Sequence, residues 1–390
     1  MQQITSTDLI ALEATAGRIE GIFSARPDLA RLWRGQAALL EAARTVAMED
    51  IHIHEGDLIL RLVENEATSA ENARGVSAAR DALRVLRAPG DMASDPARVI
   101  RRAARASVQM HEGGGVPDLT DEDCASIARA MQAGAAPFLS ALRAAVRFRQ
   151  LTEGWSPSVD RLVFLAAEHS LRGMEARPWG PRVPDDPFGL GMLSGMTARW
   201  TYLPATALTQ GGFRSWSPMQ ASGVHSLIDG LRAEQSRTLG AIPILERWVN
   251  EATAYAAAKH GKSRLRDLVT LATYCPVLTV AMIRDGLGLK QRAAFNLVDE
   301  AEAAGILRRI TARKTYRVWA VPSLADRVRT RPLRPSTPAR VREVAQEEAS
   351  VDHLAALHDP EATAAREEAL LSDLDAALAR MDDVLKTHDH

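Results

Sequence analysis

Apolar residues recur three and four positions apart along most of this chain, the spacing with which a helix buries one face. Such stripes run over residues 29–47, 78–86, 120–148, 157–171 and 242–258. Before residue 279 almost no segment alternates apolar and polar residues as a half-buried strand does, the partial exception being IHIHEGDLIL at 51–60. The pattern predicts a mainly α protein that opens with a helical N-terminal domain.

The pattern changes between Cys275 and Val321. Thr279 is suited to cap a short helix that ends at Leu287, and Gly288 supplies a tight turn. A second helix is predicted over Lys290–Ala304, because Ala294, Leu297, Val298 and Ala301 share one helical face.

Gly305 is suited to end that second helix in a left-handed conformation. Two alternating runs, ILRRIT and TYRVWAV, follow it and predict a β-hairpin joined by residues 312–314. Because another amphipathic helix over Leu265–Tyr274 precedes this segment, the predicted unit is a winged helix-turn-helix.

Basic side chains concentrate in the predicted hairpin, which has five of them and no acidic residue between Ile306 and Arg317. Such a wing can neutralise phosphates of a duplex. The early positions of the second helix carry residue types that hydrogen-bond base edges or phosphates in a major groove. We therefore predict double-stranded DNA as the partner; winged helices that dock proteins or serve only structure are the alternative. The predicted DNA-binding residues are Lys290, Gln291, Arg292, Asn296, Arg308, Arg309, Arg313, Lys314 and Arg317.

Charge divides the chain more sharply than its net charge of −1 shows. Residues 259–342 hold 18 Lys and Arg against 6 Asp and Glu, a balance of +12, and residues 343–390 hold 3 against 13, a balance of −10. The predicted segments are a helical domain of unknown function at 1–175, a Pro/Gly/Trp-rich ordered connection at 176–223, a helical segment at 224–258, the winged helix-turn-helix at 259–322, a basic Arg/Pro linker at 323–342 and an acidic helical tail at 343–390.

The acidic tail carries leucines at three-and-four spacing, from Leu371 to Leu385. Two heptads fall short of an autonomous coiled coil, so docking on the body and pairing of two subunits remain alternatives. A third interpretation is that the acidic tail covers the basic segment and competes with DNA for it. A homodimer and a small-molecule or protein effector of the helical domain are therefore open partner predictions.

The composition indicates whether the protein is a soluble or a membrane protein. With 46% hydrophobic and 25% charged residues the chain is typical of soluble globular proteins. It has no apolar run long enough for a membrane span and no signal pattern, so we expect a cytoplasmic protein without a membrane partner. Cys124 and Cys275 lack metal-ligand spacing and are predicted to be buried thiols.

A search for catalytic motifs gives no phosphate-binding loop, nucleophile elbow or zinc-protease motif. His52 and His54 would share one face of a strand near Glu55 and Asp57, but two histidines with acids make an incomplete metal set. His169 lies on an apolar helix and is predicted to be a hydrogen-bonded core or rim residue. We accordingly predict no cofactor, no metal and no catalytic residue.

Three segments carry a family resemblance: EAARTVAMEDIHIHEGDL at 41–58, SAARDALRVLRAP at 77–89 and AAGILRRITARKTYRVWAV at 303–321. They resemble uncharacterised alphaproteobacterial proteins, frequent on rhizobial plasmids, that join a helical domain of unknown function to a C-terminal helix-turn-helix DNA-binding domain. The resemblance implies a DNA-binding protein, most simply a transcriptional regulator.

The winged segment is also similar to the C-terminal domain of Fic-family proteins. Their catalytic loop, His-Pro-Phe-x-x-Gly-Asn-Gly-Arg, does not occur here. Thr45 and Glu49 match the Ser/Thr-x-x-x-Glu part of the family's inhibitory motif, whereas Asp50 departs from it. This second resemblance implies, as the alternative function, a catalytically degenerate or divergent Fic-like protein that binds nucleotide or transfers adenylyl groups, with an accessory winged helix.

Overall fold

The computed structural model describes residues 6–64, 70–106, 115–133, 136–173, 196–210, 220–260, 263–311 and 317–329. All of these lie in one compact unit, residues 1–331. The predicted linker beyond residue 329 and the acidic tail lie outside the described residues.

Helices dominate the described residues, and the predicted mainly α class is confirmed. The first ten are α1 (Ser6–Ala25), α2 (Pro27–Ala47), α3 (Glu55–Glu64), α4 (Ala70–Arg87), α5 (Pro96–Arg105), α6 (Asp121–Gln132), α7 (Pro137–Leu151), α8 (Pro157–Leu171), α9 (Pro204–Gln210) and α10 (Ala221–Ala257). They are followed by α11 (Leu265–Tyr274), β1 (Val277–Thr279), α12 (Val280–Leu287), α13 (Gln291–Ala303), β2 (Arg308–Arg309), β3 (Val318–Ala320) and α14 (Pro322–Arg329).

Proline and short polar residues start several of these helices. Pro157 opens α8, with the Ser156 hydroxyl accepting from the backbone N–H of Val159. Thr120 and Asp123 form a reciprocal capping box at the start of α6. The single helix predicted over 120–148 is wrong, since α6 ends at Gln132 and α7 begins with Pro137, whose ring cannot continue a helix from the preceding turn.

Two further predictions about local structure are wrong. Residues 51–54 form a loop and Glu55 begins α3, so IHIHEGDLIL is not a strand. Within α3 the neighbours Leu58 and Ile59 are both fully buried, which a helix face allows and strand alternation does not. Residues 323–329, predicted as the start of a linker, belong to α14, because Leu324, Ala325 and Val328 bury one face of a helix in the core.

The long helix α10 spans 37 residues and passes through Pro243. The sequence predicted this helix only from Ile242, about six turns after its first residue. Proline usually occurs in the first turn of a helix, whereas Pro243 lies in the interior of this one. Neither α10 nor any other described helix has a stretch apolar enough to cross a membrane.

The segment 196–210 runs through the core of the helical part. Trp200 is fully buried, and its indole N–H donates to the carbonyl of Leu86 at 2.8 Å. Met196, Ala198, Tyr202 and Leu203 are buried beside it. This stretch of the connection is packed, as the sequence predicted for the whole of 176–223; residues 174–195 and 211–219, with Trp179 and Trp216, lie outside the described residues.

Two buried glutamates hold that segment in place. Glu168 of α8 accepts from the backbone N–H groups of Thr201 and Tyr202 and from the Thr201 hydroxyl. Glu41 of α2 accepts from the N–H groups of Ala205 and Thr206 at 2.8 and 2.9 Å and from the Thr206 hydroxyl at 2.7 Å. The carboxylates thus satisfy backbone donors that the core would otherwise leave without acceptors.

Candidate nucleic-acid interface

The winged segment consists of three helices and a small sheet. Helices α11, α12 and α13 are followed by the β2–β3 hairpin, and β3 pairs antiparallel with both β1 and β2. The sequence predicted the helices and the hairpin but missed β1. Its three residues directly precede the α12 cap, and their pairing with β3, as in Leu278 opposite Trp319, is a contact distant in sequence.

The turn between α12 and α13 follows from two residues. The Thr279 hydroxyl accepts from the N–H of Met282 at 3.2 Å and caps α12. Gly288 ends the helix at φ 63°, a left-handed conformation that glycine adopts without steric cost. The N–H of Leu289 then donates to the carbonyl of Arg284, which closes the turn and sends the chain into α13.

Helix α13 has one buried face and one exposed face. The predicted core residues Ala294, Leu297, Val298 and Ala301 are all buried. The predicted contact residues lie at its N-terminal end, and all are exposed to solvent: Lys290, Gln291, Arg292 and Asn296. Among the described residues Lys290 and Arg292 form no ion pair, so their charges are available to a ligand.

The acidic residues of α13 are mostly engaged at its other end. Glu300 pairs with Lys259 of the chain after α10 at 3.1 Å. Glu302 accepts from the indole N–H of Trp319 at 2.9 Å. Their charges are thereby partly compensated, and the helix presents its basic and amide side chains at the N-terminal turn, where the helix dipole also favours an anion.

Among the predicted wing residues, the structure distinguishes three environments. Arg308 is exposed and pairs with Asp326 of α14, whereas Arg309 is exposed without an ion pair among the described residues. Arg317 is half-buried, and its Nε is enclosed without a hydrogen-bond partner in the described part of the chain. Arg313 and Lys314 lie outside the described residues.

Residues 265–321 match the family model of an HTH DNA-binding domain. This part of the chain is a helix-turn-helix DNA-binding domain. The match begins at the first residue of α11 and ends just after β3, so it covers the three helices and the hairpin described above. No curated protein matches the chain. These comparisons give no support to the resemblance to Fic-family proteins.

The HTH domain is attached to the helical part through several polar contacts. Arg327 of α14 donates to the carbonyl of Gln36 at 2.7 Å and to the buried carboxylate of Glu55 at 2.6 Å. The indole N–H of Trp248 in α10 donates to the carbonyl of Ile306 at 2.9 Å. On the side of the HTH domain both contacts lie after α13 in the sequence, at Ile306 and in α14, the helix that directly follows β3.

Apart from the predicted DNA contacts, the sequence drew attention to His52, His54 and Glu49 as residues that could carry chemistry. His52 is exposed, and the Nδ1 of His54 accepts from the N–H of Gly56. Glu49 accepts from the Ser156 hydroxyl and the Ser158 N–H at the start of α8. Within the described residues no cluster of three or more histidine, cysteine and acidic side chains is placed to hold a metal.

Both cysteines are buried free thiols, as predicted. The Cys275 Sγ donates to the carbonyl of Val277, and burial raises the pKa of this thiol to about 12. Burial also raises the pKa of Cys124. Neither thiol is in the thiolate form that metal binding or nucleophilic chemistry requires at neutral pH.

Arg309→Ala is expected to lower the slope of log affinity for DNA against log salt concentration by about 0.9, because one phosphate contact releases about that many counterions. Arg308→Ala is the matched control. Its guanidinium is paired with Asp326, so we expect a smaller change. Fluorescence anisotropy over a salt series measures both. Equal slopes for Arg309→Ala and the unsubstituted protein would remove Arg309 from the interface.

Proposed function

We propose that this protein is a transcriptional regulator that binds double-stranded DNA sequence-specifically, with α13 in the major groove and the β2–β3 wing along the phosphate backbone. The observation that carries the proposal is the exposed N-terminal turn of α13, where Lys290, Gln291, Arg292 and Asn296 stand opposite the buried face. Amide and guanidinium groups at such positions recognise adenine and guanine edges in the major groove.

The wing residues extend the proposed interface. Arg309 is the described wing residue best placed for phosphate, with Arg313, Lys314 and Arg317 as the further predicted contacts. Arg308 contributes less, since its charge is already paired. In this arrangement α13 supplies specificity and the wing supplies affinity that does not depend on sequence.

The helical part, residues 1–258, is proposed to carry regulation, through a second subunit or through an effector. A DNA-binding dimer reads two half-sites related by its own symmetry. The contacts of Arg327 and Trp248 give the helical part a direct hold on the HTH domain. In this proposal, dimerisation or effector binding changes the helical part, and these contacts transmit the change to the HTH domain and so to α13.

Arg292→Ala and Gln291→Ala are expected to lose about 1–3 kcal/mol of discrimination between the specific site and random DNA. The specific site is first identified by immunoprecipitating the tagged protein with its bound genomic DNA. Affinities of each variant for that site and for a scrambled duplex are then compared. A transcriptional reporter with the site upstream tests regulation.

Arg129→Ala is the control for this experiment, because Arg129 is an exposed arginine on α6 that pairs with Glu122 in the helical part. It should leave both affinities unchanged. If Arg292→Ala and Gln291→Ala retain the full ratio of specific to random binding, α13 does not read bases. Unchanged reporter activity on deleting the protein would contradict the regulatory part of the proposal.

A further inference from the structure

A cavity of about 470 Å³ lies in the helical part, within the size range of small-molecule sites. The loop between α4 and α5, helix α5 itself, the end of α8 and the start of the segment 196–210 form its walls. Its polar lining includes Asp91, Asp95, Arg98, Arg102, His169 and Thr197. None of the residues that line this cavity takes part in the contacts described above between the HTH domain and the helical part.

Arginines line one wall without acidic partners. Arg98 and Arg102 are four residues apart on α5, so their side chains are neighbours and repel each other. The Arg102 guanidinium donates to the carbonyls of Arg84 and Ala88, which are neutral, and burial and the charge of Arg98 lower its pKa. Among the described residues neither arginine forms an ion pair. An anionic group bound here would relieve that repulsion.

His169 supplies a fixed donor. The side chain is almost fully buried, and its Nδ1 accepts from the N–H of Arg199 at 3.0 Å. Burial and the nearby charge of Arg34 lower the pKa of His169 to about 4. At neutral pH the ring is therefore uncharged with its proton on Nε2, and this N–H is the polar group left for a ligand in the cavity.

Aspartates line the wall that the loop provides. Asp91 accepts from the N–H of Ala93 with one carboxylate oxygen, and Asp95 caps α5 by accepting from the N–H of Arg98. Each of these bonds uses Oδ1. Because the two carboxylates balance the two guanidiniums, a ligand with only negative charge would meet repulsion from this wall.

Two features of the protein itself hold the loop in position. The Ser170 hydroxyl accepts from the N–H of Met92 at 2.7 Å. Gly90 adopts φ +91°, and a Cβ there would meet the side chain of Val99 at 2.9 Å. Both features restrict the backbone around residues 90–92, so this wall of the cavity needs less ordering when a ligand binds.

We propose that this cavity binds a small zwitterion of the amino-acid class, with its carboxylate on Arg98 and Arg102 and its ammonium group on Asp91. His169 Nε2 donates a further hydrogen bond to the bound molecule. The proposal concerns a site in the helical part and does not depend on DNA binding.

Isothermal titration calorimetry of the full chain with each proteinogenic amino acid tests this site, with acetate, methylamine and inorganic phosphate as separate probes. We expect at least one amino acid to bind one to one and more tightly than any of these three ions. Arg98→Gln should weaken that binding about tenfold or more, because a charge-assisted hydrogen bond is lost. Arg98 is exposed and its side chain forms no hydrogen bond or ion pair among the described residues, so the variant should fold.

Asp91→Asn is the second variant, since asparagine keeps an oxygen for the Ala93 N–H but loses the charge that holds the ammonium group. It should weaken amino-acid binding and leave acetate binding no weaker, because the repulsion between this carboxylate and an anion is removed. Arg105→Gln is the control, an exposed arginine on α5 outside the cavity lining. The proposal is overturned if no amino acid binds, if phosphate binds as tightly as the best amino acid, or if Arg98→Gln and Arg105→Gln behave alike.

Discussion

Replacing Trp319 with alanine is expected to lower the free energy of unfolding by about 3–5 kcal/mol, the usual loss for a large aromatic side chain deleted from a core. Trp319 is fully buried in β3, between its β1 partner Leu278 and its β2 partner Arg309. Its indole N–H also donates to Glu302 near the end of α13. The side chain therefore connects the sheet to the helix that we propose reads DNA.

Urea denaturation followed by circular dichroism measures the loss of stability, and anisotropy with a duplex measures DNA binding. Trp319→Phe is the control, because phenylalanine keeps most of the buried apolar area and loses the hydrogen bond to an exposed carboxylate, which is worth about 1 kcal/mol. We expect Trp319→Ala to bind DNA poorly even at a temperature where it remains folded. An alanine variant with normal stability and affinity would show that the sheet does not position α13.

The second large effect concerns pH and Glu41. This side chain is fully buried, and burial raises its pKa to about 7 from the ordinary value of 4.5, although hydrogen bonds from Thr206 and Ala205 oppose the rise. Between these pH values the folded protein keeps a proton that the unfolded chain releases. The stabilisation from this group is fully present below about pH 4.5 and is lost as pH rises through 7. The lost amount is about 3 kcal/mol, since one pKa unit corresponds to about 1.4 kcal/mol.

Glu41→Gln isolates this effect, because glutamine is neutral and does not titrate. Its single amide oxygen can accept from Thr206 or from Ala205 but not from both, which lowers stability by the same amount at every pH. We expect the stability difference between the unsubstituted protein and Glu41→Gln to fall by about 3 kcal/mol from pH 4.5 to pH 8. Asp160 and His169, whose pKa values are also shifted to about 6 and about 4, titrate in both proteins and largely cancel in the difference. Urea denaturation at a series of pH values measures it. A difference that does not vary with pH would show that Glu41 titrates normally.

The position of Glu41 bears on the proposed function as well as on stability. Its helix, α2, packs against α11 of the HTH domain, and Gln36 of α2 accepts from Arg327 of α14. A change that moves α2 would therefore reach the HTH domain through direct contacts. Measuring DNA affinity of Glu41→Gln beside its stability would show whether the packing of the segment 196–210 matters for binding.

The sequence by itself determined the HTH domain. Its signals are local: Thr279 caps α12, Gly288 and Gly305 adopt left-handed conformations, and the buried face of α13 repeats every three to four residues. Each signal acts within a few residues of the chain, which is the range over which caps, turns and periodicity are read. The exposure of Lys290, Gln291, Arg292 and Asn296 and the burial of both cysteines followed from the same kind of pattern, while DNA contact by these four residues stays a prediction.

Only the tertiary structure decided how the helical part is organised and what it offers a ligand. Glu41 accepts a hydrogen bond from Ala205, 164 positions away in sequence, and His169 accepts one from Arg199, 30 positions away. No local sequence pattern shows that these two buried side chains bind the segment 196–210. The cavity beside Arg98 likewise brings together α5, the end of α8 and Thr197. Strand β1 and helix α14 depend on the same kind of contact, since short elements acquire their stability from what they pack against rather than from their own sequence.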